Sequence, residues 1–218
     1  MMNNLIAMLP SYGAAILVTL EVSVLAALLG IAGGFVINAL RLRFTRSLAL
    51  PYGFFIWLIR GTPYLSQLVV IYFGLPALGV TMTAVQATIL SLALYSSAYF
   101  AEIFRAAWSS VPRGQLEAAQ AFGISRWARF RAIEWPQAAA FAIPLLANQV
   151  ILVIKESSVA SIITVPELTM TASGIVSATY TYIGPYALLI AAYWLLAQAV
   201  SLVAQQVSAR IPFLRKTS

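Results

Sequence analysis

Cysteine and histidine are both missing from the 218 residues. Without cysteine there is no disulfide framework, no thiol chemistry and no thiolate metal site. Without histidine the usual general base and the commonest metal ligand are gone as well. Charge is scarce: 13 basic and 6 acidic residues make 9% of the chain, where soluble domains carry roughly a quarter. No G-x-x-x-x-G-K-[ST] phosphate loop occurs, so ATP is not bound and hydrolysed here by that route. No period of 20–50 residues repeats and no Gly/Ser-rich linker interrupts the chain, so residues 1–218 read as one domain. Met1 to Gly13 hold no Lys or Arg, which leaves no positive n-region for a cleavable signal peptide.

What is present is apolar. The chain is 61% hydrophobic with a mean hydropathy of +0.90. The apolar runs are long and continuous rather than alternating, which points to membrane helices and not to a barrel. Five spans are expected: Tyr12–Leu40, a segment within Leu48–Val80, Ala84–Ala107, Gln137–Val165 and Ile183–Ala209. Each is long enough, at about 1.5 Å per residue, to cross a core of about 30 Å.

The basic residues orient these spans. Arg41, Arg43 and Arg46 follow the first; Arg105, Arg113, Arg126, Arg129 and Arg131 follow the third; Arg210, Arg215 and Lys216 follow the fifth. The N-terminal segment, the turn near Gly74–Met82 and the Thr169–Tyr182 loop have none. This alternation predicts an N-terminus outside and a C-terminus in the cytoplasm. The net charge of +7 is then a matter of cytoplasmic loops and anionic membrane lipid. No aromatic-basic platform suggests nucleic acid.

The longest basic loop, residues 109–136, reads SSVPRGQLEAAQAFGISRWARFRAIEWP. Pro112 and Gly114 should break the incoming helix. Gln115–Phe122 is a good helix former, and Gly123 suits a positive-φ helix end. A second short helix is expected over Ile124–Ile133, mixing Trp127, Phe130 and Ile133 with three arginines. Two short helices joined at a glycine can dock in another protein's groove; the same sequence can also lie as an amphipathic linker on lipid.

Glu117-Ala118-Ala119, Gly123, Ile133 and Pro136 stand at the spacing EAA-x3-G-x9-I-x-x-P. This resembles the EAA loop of ABC importer permeases, whose pattern has Leu where this chain has Trp135. The stretches Arg60-Gly61-Thr62-Pro63 with Gln67, Tyr72-Phe73-Gly74-Leu75-Pro76, and Tyr99, Glu102 and Arg105 leading to Arg113-Gly114-Gln115 resemble the polar amino acid branch. So do Lys155-Glu156-Ser157-Ser158 and Glu167-Leu168-Thr169. The resemblance covers about residues 12 to 210. It implies an all-α transmembrane domain like that of type I ABC importers, in a bacterial inner membrane. It implies a second permease chain, identical or homologous, two cytoplasmic ATPase subunits that bind the ATP and Mg, and an extracytoplasmic binding protein that delivers a polar amino acid. The coupling surface would be Glu117, Ala118, Ala119, Gly123, Ile133 and Pro136. No cofactor is implied in this chain, and no catalytic or metal site.

Ionisable groups inside spans cost roughly 2.5–3.5 kcal/mol on insertion scales and need a reason. Arg60 lies fourteen residues past Arg46, about 21 Å if helical. It either pairs with a carboxylate beside a pathway or snorkels from an interfacial Leu48–Ile59 segment, and the short spacing favours snorkelling. Pro63 orphans the carbonyl of Ile59 if the helix continues, and broken membrane helices line cavities; Thr62 and Gln67 would face that cavity. Lys155, Glu156, Ser157 and Ser158 interrupt the fourth span. A straight helix from Pro136 puts Lys155 near the outer interface, about 28 Å away; a helix that starts lower, or kinks at Pro144, puts it deeper. The resemblance favours a pathway or gating role for these four, and leaves Glu167 open between pathway and structure. Glu102 and Arg105 suit an intrahelical pair, Glu21 an interfacial site near the outer end of the first span. Trp57, Trp108, Trp135, Tyr180, Tyr182 and Trp194 suit belt or core. A gradient-driven transporter acting alone and a non-transporting scaffold are the alternatives; five spans without an internal repeat argue against the first.

Overall fold

Because lipid offers the backbone no partners, each apolar run closes its own hydrogen bonds as a helix. The computed structural model describes residues 2–44 and 46–209, with side chains from residue 8 onward. Arg210, Arg215 and Lys216 lie outside the described residues. Nine α-helices follow one another among the described residues, and no strand is present there. They are α1 (Met2–Arg43), α2 (Ala49–Gly61), α3 (Tyr64–Val69), α4 (Ala84–Ser109), α5 (Arg113–Ala121), α6 (Arg126–Arg129), α7 (Trp135–Glu156), α8 (Leu168–Thr179) and α9 (Ile183–Ala209).

Four stretches are long and apolar enough to cross a membrane, and a bent pair of helices passes the same test when taken together. The pair is α2 followed by α3, which runs on through a π turn and a 3-10 turn to Leu78; the two halves meet at 104°. Each of the five expected apolar segments is helical, and the second is broken, as Thr62-Pro63 foretold. The fourth begins lower than expected: α6 continues through a π turn, Phe130–Glu134, directly into α7. The separate helix expected over Ile124–Ile133 is thus the foot of the span. The Thr169–Tyr182 segment, expected as a loop, is mostly the twelve-residue α8. It is bounded by two non-glycine residues with left-handed backbone, Thr164 and Tyr180.

The centre is the seam of α1 against α4, the most extensive helix pair. A Cβ on Gly34 would stand 2.7 Å from both the Ala101 nitrogen and the Phe100 Cβ. A Cβ on Gly30 would stand 2.1 Å from the Ser96 hydroxyl. The Gly30-x3-Gly34 spacing thus lets two backbones approach, as small residues do in membrane helix pairs. Around this seam Val22, Ala26, Leu68, Leu92, Val153 and Val165 form the main core. Tyr12, Ala15, Leu168, Ala172 and Ala192 join α1, α8 and α9, while Ala107, Val111, Ala138 and Ala142 join α4 to α7 at the basic end. α9 is little covered: Ile190 is 70% and Leu195 60% exposed.

Candidate functional site

At the basic end, α4 stops at Ser109 and Pro112 serves as N-cap residue of α5, where its missing N–H costs nothing. Gly114, expected to break the helix, sits inside α5. The end of α5 is a Schellman closure. Gly123, at φ +70°, donates its N–H to the Gln120 carbonyl at 3.0 Å, and Ile124 donates to the Ala119 carbonyl at 3.0 Å. Ser125 then caps α6, accepting from the Ala128 N–H at 3.3 Å. Glu117 and Ala118 are exposed; Ala119 is buried against the rest of the chain. Phe122, not singled out in the sequence, is the most exposed large hydrophobic of the hairpin at 85%. A large apolar residue just before the glycine of a polar helix was the signal for it.

The hairpin is fastened to the bundle. Gln137 on α7 donates to Gln115 on α5 at 2.6 Å and to the Ile133 carbonyl at 2.9 Å. Arg129 donates to Glu134 at 2.7 Å across the π turn. Trp108 of α4 lies 5.8 Å from the Phe130 ring and 6.3 Å from the Trp135 ring. The tryptophan that replaces a leucine therefore packs into a joint between α4, the π turn and α7. Ile133 and Pro136 are half-buried in that same joint.

Inside the membrane region the candidates separate into two groups. Thr62 and Gln67 close the break: the Thr62 hydroxyl donates to the Leu58 carbonyl at 2.8 Å, and the Gln67 amide donates to the Ile59 carbonyl at 2.8 Å and to the Thr62 hydroxyl at 2.8 Å. Arg60 does not simply snorkel. Its guanidinium is 3.8 Å from Glu102 and lies 5.2 Å above the Tyr99 ring. Glu102 also takes two bonds of 2.8 Å from Arg105, the expected intrahelical pair, and one from the Tyr52 hydroxyl. Tyr52 was not anticipated. It comes from α2, and no spacing rule links it to α4.

Lys155 and Ser158 open onto a groove of about 490 Å³ between the end of α7 and α9, together with Thr169, Tyr193, Trp194 and Ala197. The α9 residues of this groove, Leu189 to Ala197, lie about 9 to 21 Å along a helix of about 40 Å. Lys155 therefore lies level with the half of α9 nearer Ile183, inward of that helix end, and its own span begins earlier than Gln137, at Arg126. No ion pair reaches Lys155 among the described residues. Ser157 is buried and bonded to the Ile154 carbonyl at 2.7 Å. Glu156 is half-buried and does not line the groove. Glu167, 1% exposed, caps α8: it accepts the N–H groups of Thr169 and Met170 at 2.8 Å each and the Tyr193 hydroxyl at 2.8 Å. Glu21 is exposed on the apolar flank of α1. The structure thus brings Lys155 and Ser158 together and leaves Thr62, Gln67 and Glu167 as backbone caps.

The described residues offer no group of acids able to hold a metal ion. Comparison with known proteins agrees with the geometry. Residues 26–212 match the model of the binding-protein-dependent transport system inner membrane component family. A probable amino-acid ABC transporter permease of Bacillus subtilis is 40% identical over 81% of this chain and 78% of its own length. A putative glutamine transport system permease of Rickettsia bellii is 34% identical over 89% and 90%. The crystal structure of an amino acid ABC transporter with histidines superposes with a TM-score of 0.87 at 34% identity, covering 95% of this chain and 97% of that one. An inward-facing methionine ABC transporter shares the fold at 17% identity, with a TM-score of 0.78. The chain belongs to the binding-protein-dependent transport system inner membrane component family, as a multi-pass permease subunit of an ABC importer.

Proposed function

We propose that this subunit forms, with a second permease chain, the inner-membrane pathway for a polar amino acid, and that α5 docks on a separate cytoplasmic ATPase. The observation that carries the reading is the α5–Gly123–α6 hairpin. It presents Glu117, Ala118 and Phe122 outward, while α6 runs without a break into a membrane span. A push on α5 is then delivered to α4 and α7 through the Gln115–Gln137 bond and the tryptophan joint. The ATPase chains bind ATP and Mg, and a binding protein delivers the amino acid from the opposite side. The N-terminus lies on that outer side and the basic loops in the cytoplasm, as the arginine distribution directs.

The pathway residues on this reading are Lys155 and Ser158. A lysine without an acidic partner inside a span does not face lipid, so its groove faces water or the second permease chain. A carboxylate of an amino acid fits that charge. Thr62, Gln67 and Glu167 serve the pathway indirectly, by capping the backbone of the helices around it, and Glu156 and Ser157 do not line the groove.

The absence of cysteine makes the docking test clean. A single cysteine introduced at Phe122 should cross-link to a co-expressed ATPase subunit through a short bifunctional reagent. One placed at Leu17, on the outer half of α1, should not. Equal labelling from both positions, or none from Phe122 in an assembled complex, contradicts the docking.

A further inference from the structure

Where α1 ends and α2 begins, the two helices touch little and leave a groove of about 230 Å³. Its floor is hydrocarbon: Ile37 and Leu40 from α1, Leu48 from the turn, and Phe55 from α2. At its mouth the Arg41 guanidinium rests 5.0 Å above the Tyr52 ring. Arg43 and Arg46, both exposed, follow within five residues.

These three cations have no acid of their own. The sequence holds no Asp or Glu from Val22 to Ala101. Glu102, which Tyr52 reaches, is taken up by Arg105 and Tyr52 itself. No ion pair involves Arg41, Arg43 or Arg46 among the described residues. The depth is also informative. Tyr52 meets Glu102, two turns inside the end of α4 at Ser109. The groove therefore runs from the water boundary, where Arg43 and Arg46 stand, into the apolar layer at Phe55.

An apolar floor calls for hydrocarbon, and an uncompensated basic mouth calls for an anion. Basic pockets between helices on the cytoplasmic side hold anionic head groups, and each such arginine also gains by leaving its stem in apolar surroundings. We propose that the α1–α2 groove binds one anionic phospholipid. Its phosphate sits on Arg41, the basic residue of the lining, with the charges of Arg43 and Arg46 nearby in sequence, and its acyl chain lies along Leu40, Leu48 and Phe55. The bound lipid fills the gap between α1 and the arm of the broken span. Diffuse attraction to a negative leaflet needs the arginines but not the groove, and this separates the two accounts.

The test is native mass spectrometry of the full chain released from non-ionic detergent, titrated with phosphatidylglycerol or with phosphatidylcholine of the same acyl chains. One phosphatidylglycerol should be retained per chain at concentrations where phosphatidylcholine is not. Arg41→Gln should weaken retention about fivefold, whereas Arg131→Gln, away from the groove, should leave it unchanged. Leu48→Trp, which fills the groove and keeps every charge, should abolish retention. Helical circular dichroism confirms that each variant is folded, and Arg41→Gln, at an exposed rim, carries the test if Leu48→Trp is not. Equal retention of the two lipids, equal loss in Arg131→Gln, or full retention in a folded Leu48→Trp chain overturns the site.

Discussion

The side-chain amide of Gln67 donates a hydrogen bond to the carbonyl oxygen of Ile59 at 2.8 Å. That carbonyl is the one Pro63 strips of its helical partner, and in lipid it has no water to turn to. The glutamine thus makes the 104° bend between α2 and α3 tolerable. Gln67→Leu should lower the thermal stability of the purified chain by about 1–3 kcal/mol, the cost of an unsatisfied buried acceptor. Gln67→Glu, which supplies no amide donor, should not rescue it. Unchanged melting of the leucine variant in detergent would show that the carbonyl is satisfied in another way.

Glu102 holds α2 to α4. Its carboxylate gathers Arg105, Tyr52 and Arg60, the last at 3.8 Å. The arginine side chains are 40–46% exposed, so the cluster falls between a surface pair, worth under about 1 kcal/mol, and a buried one, whose disruption costs about 3–5 kcal/mol. Glu102→Gln should therefore destabilise by roughly 1–3 kcal/mol, and adding Arg105→Gln should recover part of the loss, because it removes the cation left unpaired. Thermal unfolding of the single and double variants measures this. A double variant that is worse by the full sum would show that the two residues act independently.

Gly123 turns the hairpin at φ +70°. No neighbour lies within 4 Å of the position a Cβ would take, so space is not the constraint; the left-handed backbone is. A β-branched replacement costs roughly 1–2 kcal/mol there and redirects α5 instead of unfolding the spans. Gly123→Val should leave helical content unchanged, keep ATP hydrolysis by the partner subunits and lower amino acid uptake at least tenfold. Gly123→Asn, which tolerates the left-handed region, should retain most uptake. Equal loss in both variants would point to the side chain and not to the turn.

Much of this was legible in the residues. The spans follow from hydropathy, the break from Thr62-Pro63 and the turn from Gly123, because each rests on local chemistry within one stretch of chain. The helix expected over Gln115–Phe122 is present as α5, and Gly123 ends it. Other features depend on which helices meet. The short distance from Arg46 suggested that Arg60 snorkels, but Glu102 comes to it from α4. Gln67 looked like a cavity residue because its acceptor lies eight positions back across a bend. Glu167 proved to be a helix cap tied to Tyr193 on α9, a contact between distant elements. The Gly30-x3-Gly34 seam was not singled out in the sequence, because its meaning depends on α4 meeting it. Trp135 breaks the family pattern in sequence and is explained only by its tilted aromatic contacts with Trp108 and Phe130.

The central claim is that this chain moves an amino acid only when a separate ATPase drives it through the α5 hairpin. Uptake of labelled amino acid into proteoliposomes tests it most directly, with the chain reconstituted alone, with its second permease chain and ATPase subunits, and with those subunits, binding protein and ATP together. The account predicts uptake in the last condition alone, abolished when ATP is withheld. Uptake by the chain alone, driven by a proton or sodium gradient, would contradict it.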